Sequence, residues 1–301
     1  MKLGILGYPL GYSLSPLIHR RALAHAGLEG EYRECPVGPE DLWGWLGQVK
    51  ELGLAGFNVT MPYKKSVFAW VVGEGAGRLG RQEAADGAIG AINTVVMDSG
   101  RPIGYNTDGI GFLRTLIDKP RALDIGGWHV VLLGAGGAAQ AIAVTLAMET
   151  KIGRLTIWSR HPVRAKELSD RVNGLRSGGR GSRFSETVED LETLPVQQCQ
   201  LLVNATPVGM TPPPRSGGGV KGKRERLVDL DRLHGGQVVY DLVYEPRDTE
   251  LICGARERGC RVVTGDEMLA GQAAVSFQLW TGVKGMLPVM RQALDDYFTS
   301  R

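Results

Sequence analysis

The stretch "GFNVTMPYKKS", residues 56–66, runs from a buried-strand pattern straight into a helix pattern, with a threonine and two lysines at the junction. Lysine at a helix start is electrostatically unfavourable, because the helix dipole already places partial positive charge there. Either Lys64 and Lys65 both point to solvent, or one of them is aimed at something. An ammonium held at such a place can donate a proton to an oxygen that gains negative charge, or stabilise that charge. Asp108 in "GYNTDG" offers a carboxylate. Ser13 and Ser15 in "SLSP", Thr60 in "NVTMP" and Asn93 in "GAINT" add hydroxyl and amide groups, each close to the end of an apolar run. Open α/β sheets place their ligand crevices at such strand ends. The set suits a small molecule carrying several hydroxyls and a carboxylate. Singly, Ser15, Thr60 and Asp108 read equally well as helix N-caps and Asn93 as a turn residue. Capping alone leaves unexplained why so many such groups end adjacent strands.

A second kind of chemistry is written in "VVLLGAGGAAQA", where Gly134-x-Gly136-x-x-Ala139 follows a strand and opens a helix. The first glycine permits a tight turn, the second lets backbone approach a pyrophosphate, and the small third residue lets helix and strand pack closely. Free N–H groups at the helix start meet the phosphate charge. The reading is a dinucleotide site; the competing one is a structural Gly-rich turn in a chain with 43 glycines. The next strand ends "TIWSRHPVRAKEL", with Arg160 and Arg164 and no acid before Glu167. Arginine there suits a 2′-phosphate, hence NADP, where NAD would call for an Asp or Glu on the ribose. Two solvated arginines near a helix start are the alternative.

These groups need elements to hold them. Strand and helix patterns alternate throughout, beginning "KLGILG", "SLSPLIHRRALAHAG", "EYRECPV", "PEDLWGWLGQVKELG" and "LAGFNV". Ser15 is expected to cap the first helix, with Pro16 in its first turn and Gly27 past its end, and Thr60 to cap "PYKKSVFAWV". "AINTVVM" and "PIGYNTD" predict a hairpin around "DSGR". From residue 129 the alternation resumes as "HVVLLG", "RLTIWS", "CQLLVNA", "QVVYDLV" and "CRVVTG", which implies βαβ units and parallel sheets. The fold class expected is α/β: two α/β domains flanking a cleft, residues 1–108 forming a substrate domain and 109–264 a Rossmann-type dinucleotide domain, with 265–301 joined to the substrate domain on the family resemblance of "GDEMLAGQA" given below.

The 301 residues suffice for two such cores, and a charged fraction of 22% is that of a soluble globular chain. A net charge of +3 makes no case for nucleic acid. Residues 173–183 and 212–226 are Gly/Pro/Arg-rich but carry no interleaved aromatics to stack on bases, so they read as surface loops. Cys35, Cys199, Cys253 and Cys260 show neither a paired motif nor metal-ligand spacing; they read as reduced thiols of a cytoplasmic protein without a metal. Residues 130–148 are long enough to span a bilayer, but their glycine-rich middle fits a strand, a turn and a helix better. Neither a membrane nor a nucleic acid is expected as a partner.

Taken together, "SLSP", "NVTMPYK", "GAINT", "NTDG", "GAGGAA", "NATPVGM", "DLVYEPRDTEL" and "GDEMLAGQA" resemble, in order and nearly end to end, the shikimate dehydrogenase family. The resemblance implies reduction of 3-dehydroshikimate to shikimate with NADP, in a monomer or homodimer acting on a small molecule. It implies Lys64 and Asp108 as the catalytic pair, with Lys65 left at the surface. Ser13, Ser15, Thr60, Asn93, Tyr244 and Gln272 are implied at the substrate. Gly134, Ala135, Gly136, Gly137, Ala138, Ser159, Arg160, Arg164, Leu242 and Gly265 are implied at the cofactor. The chain departs from the family at Tyr12, where a histidine is usual, and at Ser159-Arg160-His161, where Asn-Arg-Thr is usual. A relative using quinate or NAD, and a non-catalytic dinucleotide-responsive protein, remain as alternatives.

Overall fold

The computed structural model describes residues 1–11, 13–73, 77–80, 83–176, 184–210 and 226–300. Tyr12 and most of the two Gly/Pro/Arg-rich stretches lie outside the described residues. The chain forms two compact units, one of Met1–Phe112 with Leu269–Arg301 and one of Leu113–Met268.

In the first unit the elements are β1 (Lys2–Gly7), α1 (Ser15–His25), β2 (Glu31–Pro36), α2 (Leu42–Gln48), β3 (Gly56–Val59), α3 (Lys64–Val72), β4 (Arg78–Leu79), α4 (Glu83–Ile89), β5 (Thr94–Asp98) and β6 (Arg101–Tyr105). Next comes α5 (Asp108–Ile117), within which the chain passes into the second unit. The sheet order is β2-β1-β3-β5-β6-β4. β1 lies parallel to both β2 and β3, as crossover helices require. β5 runs antiparallel to β3 and also to β6, the latter because "DSGR" closes a tight hairpin turn with Ser99 at φ 51 and Gly100 at φ 80. The first sheet is therefore mixed. One face packs Leu6, Phe57, Val59 and Val95 against Leu46 of α2 and Val67 and Val71 of α3. Leu3, Ile5 and Tyr32 form a second cluster with Trp280.

Two helix starts differ from expectation. Leu14, not Ser15, sits at the cap of α1, since the Ile18 N–H already donates to the Leu14 carbonyl. Thr60 does not cap α3, which begins at Lys64 behind Tyr63. Pro62 disfavours helical backbone at Met61, which would be the first helical residue after a Thr60 cap. The Thr60 carbonyl instead accepts the Tyr63 N–H at 3.0 Å.

The second unit holds β7 (His129–Leu133), α6 (Gly137–Glu149), β8 (Arg154–Trp158), α7 (Pro162–Arg176), β9 (Ser185–Val188), β10 (Leu201–Asn204), β11 (Val238–Asp241), α8 (Glu250–Glu257) and β12 (Arg261–Val263). Its strands are all parallel in the order β12-β11-β10-β7-β8-β9. β7 is buried along its whole length, as a central strand covered on both faces should be. The long apolar stretch becomes β7, a glycine turn and a buried α6 rich in alanine, whose small side chains let it lie close to the sheet. The chain returns to the first unit within α9 (Gly265–Thr281) and ends in α10 (Leu287–Thr299). No described helix is long and apolar enough to cross a membrane.

Candidate active site

Lys64 is the first residue of α3, and its Nζ lies 2.5 Å from Asp108 Oδ2, with side-chain exposures of 23% and 7%. The other carboxylate oxygen of Asp108 accepts from Asn93 Nδ2 at 2.8 Å. Asn93 is held by its backbone: its carbonyl accepts the Val59 N–H and its N–H donates to the Tyr105 carbonyl. Its side chain is a hub. Oδ1 accepts the Thr107 N–H at 2.8 Å, and Nδ2 also donates to Thr107 Oγ1 at 2.9 Å and to Gln272 Oε1 at 3.4 Å. The Ile92 N–H donates to the Lys64 carbonyl at 2.9 Å and ties this segment to the start of α3. The structure thus joins Lys64, Asn93, Asp108 and Gln272, which come from four separate stretches of the first unit. Lys65 is exposed.

Ser13, Ser15 and Thr60 follow β1 and β3 at the C-terminal edge of the same sheet. Ser13 is half-buried and its Oγ accepts the Ser15 N–H at 3.3 Å; Thr60 is half-buried and its N–H donates to the Leu6 carbonyl at 2.9 Å. Tyr244 belongs to the second unit, half-buried after β11.

Behind Asn93 lies a layer of buried polar groups that sequence reasoning did not single out. Ser276 Oγ stands 2.7 Å from Thr94 Oγ1 and 3.1 Å from Thr107 Oγ1, and accepts from Asn58 Nδ2 at 3.2 Å. Asn58 Oδ1 accepts the Tyr32 hydroxyl at 2.7 Å, and the Tyr32 ring stacks on His19 with centroids 4.5 Å apart. His19 is fully buried, and burial pushes its pKa down to about 3, so it is neutral. The bonds among Asn58, Thr94, Thr107 and Ser276 hold Asn93 and Thr107 in place, whereas the two ring nitrogens of His19 make no hydrogen bond in this layer. The sequence signal was a lone polar residue inside an apolar run, as in "GFNV", which by itself says nothing about partners.

In the second unit, Gly134 has φ +117, and a Cβ there would come within 2.9 Å of the Ala205 carbonyl, so both the turn and the close approach require glycine. Gly136 caps α6 with no side-chain bond, and a Cβ on it would meet nothing within 4 Å. The helix start at Gly137 and Ala138 is thus uncapped by any side chain, and Ala135 and Ala139 are buried beneath it. Ser159 is buried with its Oγ accepting the His161 N–H, while Arg160 and Arg164 are exposed. An open glycine loop, an uncapped helix start and two exposed arginines after the next strand fit a dinucleotide with a 2′-phosphate. The Leu242 N–H donates to the Asn204 carbonyl, and Gly265 lies so near the Leu242 carbonyl that a Cβ would fall 2.3 Å from it.

The later motifs have a structural purpose in this unit. Asp241 Oδ1 accepts from Asn204 Nδ2 and the Val243 N–H, and Oδ2 accepts from Thr249 Oγ1. Burial pushes its carboxyl up to about 6. The network stitches "NATPVG" to "DLVYEPRDT". Among the described residues no cluster of His, Cys, Asp and Glu could hold a metal ion.

A family model for the shikimate dehydrogenase substrate binding domain matches residues 5–95, and one for the shikimate 5'-dehydrogenase C-terminal domain matches residues 265–294. The shikimate dehydrogenase (NADP(+)) of Moorella thermoacetica is 38% identical over 298 residues, covering 96% of this chain and 91% of that protein. The chain belongs to the shikimate dehydrogenase family. As a member it is an enzyme, an oxidoreductase. Among solved structures, shikimate 5-dehydrogenase of Thermus thermophilus in complex with NADP(H) and shikimate is 33% identical, with a TM-score of 0.78 over 98% of this chain and 99% of that one. The shikimate dehydrogenase fold is shared by a quinate dehydrogenase of Corynebacterium glutamicum in complex with NAD, 29% identical, with a TM-score of 0.81 over 98% of this chain and 99% of that one.

Proposed function

We propose that the protein interconverts 3-dehydroshikimate and shikimate with NADP, with Lys64 and Asp108 as its acid–base pair. The observation that carries the reading is the Lys64–Asp108 contact of 2.5 Å, with Asn93 holding the second carboxylate oxygen. When bound, the dinucleotide supplies or accepts the hydride. In reduction, negative charge grows on the carbonyl oxygen, and the Lys64 ammonium stabilises it and gives up a proton; in oxidation Lys64 takes the hydroxyl proton back. Asp108 keeps the ammonium oriented, and Asn93 fixes Asp108. Ser13 and Ser15 receive the substrate carboxylate, and Thr60, Asn93, Tyr244 and Gln272 its hydroxyls. The first unit, Met1–Phe112 with Leu269–Arg301, is the substrate domain, and the second binds NADP. There, Gly134 to Ala138 hold the pyrophosphate, Ser159, Arg160 and Arg164 hold the 2′-phosphate, and Leu242 and Gly265 flank the nicotinamide. The enzyme works in the cytoplasm as a monomer or homodimer.

Likeness to a quinate dehydrogenase bound to NAD favours a second reading, oxidation of quinate with NAD. Against it stand Arg160 and Arg164, which suit a 2′-phosphate, in a place where an NAD site uses an acid. Absorbance at 340 nm with shikimate or quinate, each with NADP⁺ or NAD⁺, separates the two. Fastest turnover with shikimate and NADP⁺ supports the first reading; turnover with quinate and NAD⁺ alone replaces it. No turnover with any pair would leave a binding protein, for which an ordered proton donor has no use.

A further inference from the structure

We propose that Asp86 is a positioning residue for the Lys64–Asp108 pair, acting through Asn106. This rests on the reading of Lys64 and Asp108 as the acid–base pair. Asp86 lies on α4, 1% exposed, and its Oδ1 accepts the Asn106 N–H at 2.9 Å. The Asn106 side chain then works in two directions. Its Oδ1 accepts the Asp108 N–H at 3.1 Å, and its Nδ2 donates to the Ala91 carbonyl at 2.9 Å. The Gly90 N–H returns to the Asp86 carbonyl at 3.1 Å, where α4 ends and the Ala91–Asn93 segment begins. Asp86 therefore sits where the two segments that carry Asn93 and Asp108 are fastened together.

Nothing local asks for an acid here. Aspartate is a poor residue for a helix interior, and burying it costs free energy unless its oxygens are bonded. Among the described residues Asp86 Oδ2 has no partner, so the single bond to Asn106 is what the side chain contributes. Burial pushes its carboxyl up to about 7, with no charged group offsetting it, so near neutrality it is divided between carboxylate and uncharged acid, and Oδ1 can accept the Asn106 N–H in either form. An amide in its place would offer the same acceptor.

The test uses the full chain at pH 7: kcat and KM for shikimate with NADP⁺, and hydrogen exchange at the Asn106 and Asp108 amides, for wild type, Asp86→Ala and Asp86→Asn. Asp86→Ala should lower kcat about tenfold to a hundredfold through misplacement of the pair, with KM little changed. The Asn106 amide should exchange faster, and Asp86→Asn should restore both kcat and protection. Wild-type kcat in a folded Asp86→Ala protein overturns the proposal, as does an Asp86→Asn protein no better than the alanine variant. If Asp86→Ala does not fold, Asp86→Asn decides: wild-type kcat supports the acceptor role and a lowered kcat overturns it. A wild type inert toward shikimate would fail the functional reading instead. The exchange arm then still decides, because an Asn106 amide equally protected in both proteins removes Asp86 as an anchor.

Discussion

Replacing Lys64 with alanine removes the ammonium from a pair whose partner is almost fully enclosed. Asp108, with its side chain 7% exposed, would keep the Asn93 bond on one oxygen and lose its cation on the other. Two effects separate. The lost proton donor should cut kcat about a hundredfold to ten-thousandfold, which is ~2.7–5.4 kcal/mol of barrier at ~1.36 kcal/mol per tenfold. The stranded carboxylate should cost stability, ~1–3 kcal/mol, at the lower end because the lysine is itself partly solvated. Asp108→Asn keeps the shape but removes the charge that orients the ammonium, and should also lower kcat strongly. Because the two act as a unit, the double variant should lose far less than the product of the single losses. The assay is absorbance at 340 nm under saturating NADP⁺ and shikimate, with far-UV circular dichroism to establish folding. Lys65→Ala, altering an exposed neighbour, serves as control and should match wild type. A folded Lys64→Ala enzyme with wild-type kcat, or single losses that simply multiply in the double variant, would refute the acid–base assignment and leave the dinucleotide loop untouched.

Replacing Arg160 and Arg164 together with uncharged residues should weaken NADP(H) binding far more than NAD(H); equal losses measured by fluorescence titration would make them general surface charge. Ser13→Ala and Ser15→Ala should each raise KM for shikimate, at ~1.5–3 kcal/mol per lost bond to a charged group, with NADP affinity nearly unchanged. KM values equal to wild type in folded proteins would remove the serines from the carboxylate site. His19 binds its proton only below about 3 when folded but near 6.5 once unfolded, so it adds a penalty that is absent above pH 6.5 and grows as pH falls toward 3. The difference in unfolding free energy between wild type and His19→Phe should therefore shift against wild type by ~1.4 kcal/mol per unit between pH 6 and 4. A difference constant over that range would mean the ring is protonated in the native state. Asp241, raised to about 6, acts in the opposite sense, favouring the native state at low pH and losing that contribution as pH rises from 3.8 to 6. The wild-type profile alone is thus a difference of opposed slopes, and the paired comparison is what isolates His19.

The strand–helix alternation, the hairpin at "DSGR" and the glycine loop after β7 were legible in the residues, because periodicity and turn stereochemistry act over a few neighbours. Ser99 and Gly100 must adopt positive φ for that turn, and Gly134 must do so for its own, whatever else the chain does. The capping expectations for Ser15 and Thr60 failed on equally local grounds: helical bonding already reaches Leu14, and Pro62 disfavours the helical Met61 that a Thr60 cap would need. Edge strands β4 and β9, of two and four residues, carry no period of their own and exist because a neighbour offers its free backbone groups.

Asn93 marks the boundary most clearly. On its own it could have been a turn residue, yet it binds Asp108, fifteen positions away, and Gln272, 179 positions away. Asp86, Asn106, Asn58 and His19 likewise have sequence neighbourhoods that do not name their distant partners. The identity and order of the chain determine which elements form and where chemically capable groups stand along it. Which of those groups meet is decided when sheet order and helix packing bring distant segments within about 3 Å, the range at which a buried hydrogen bond forms or is lost.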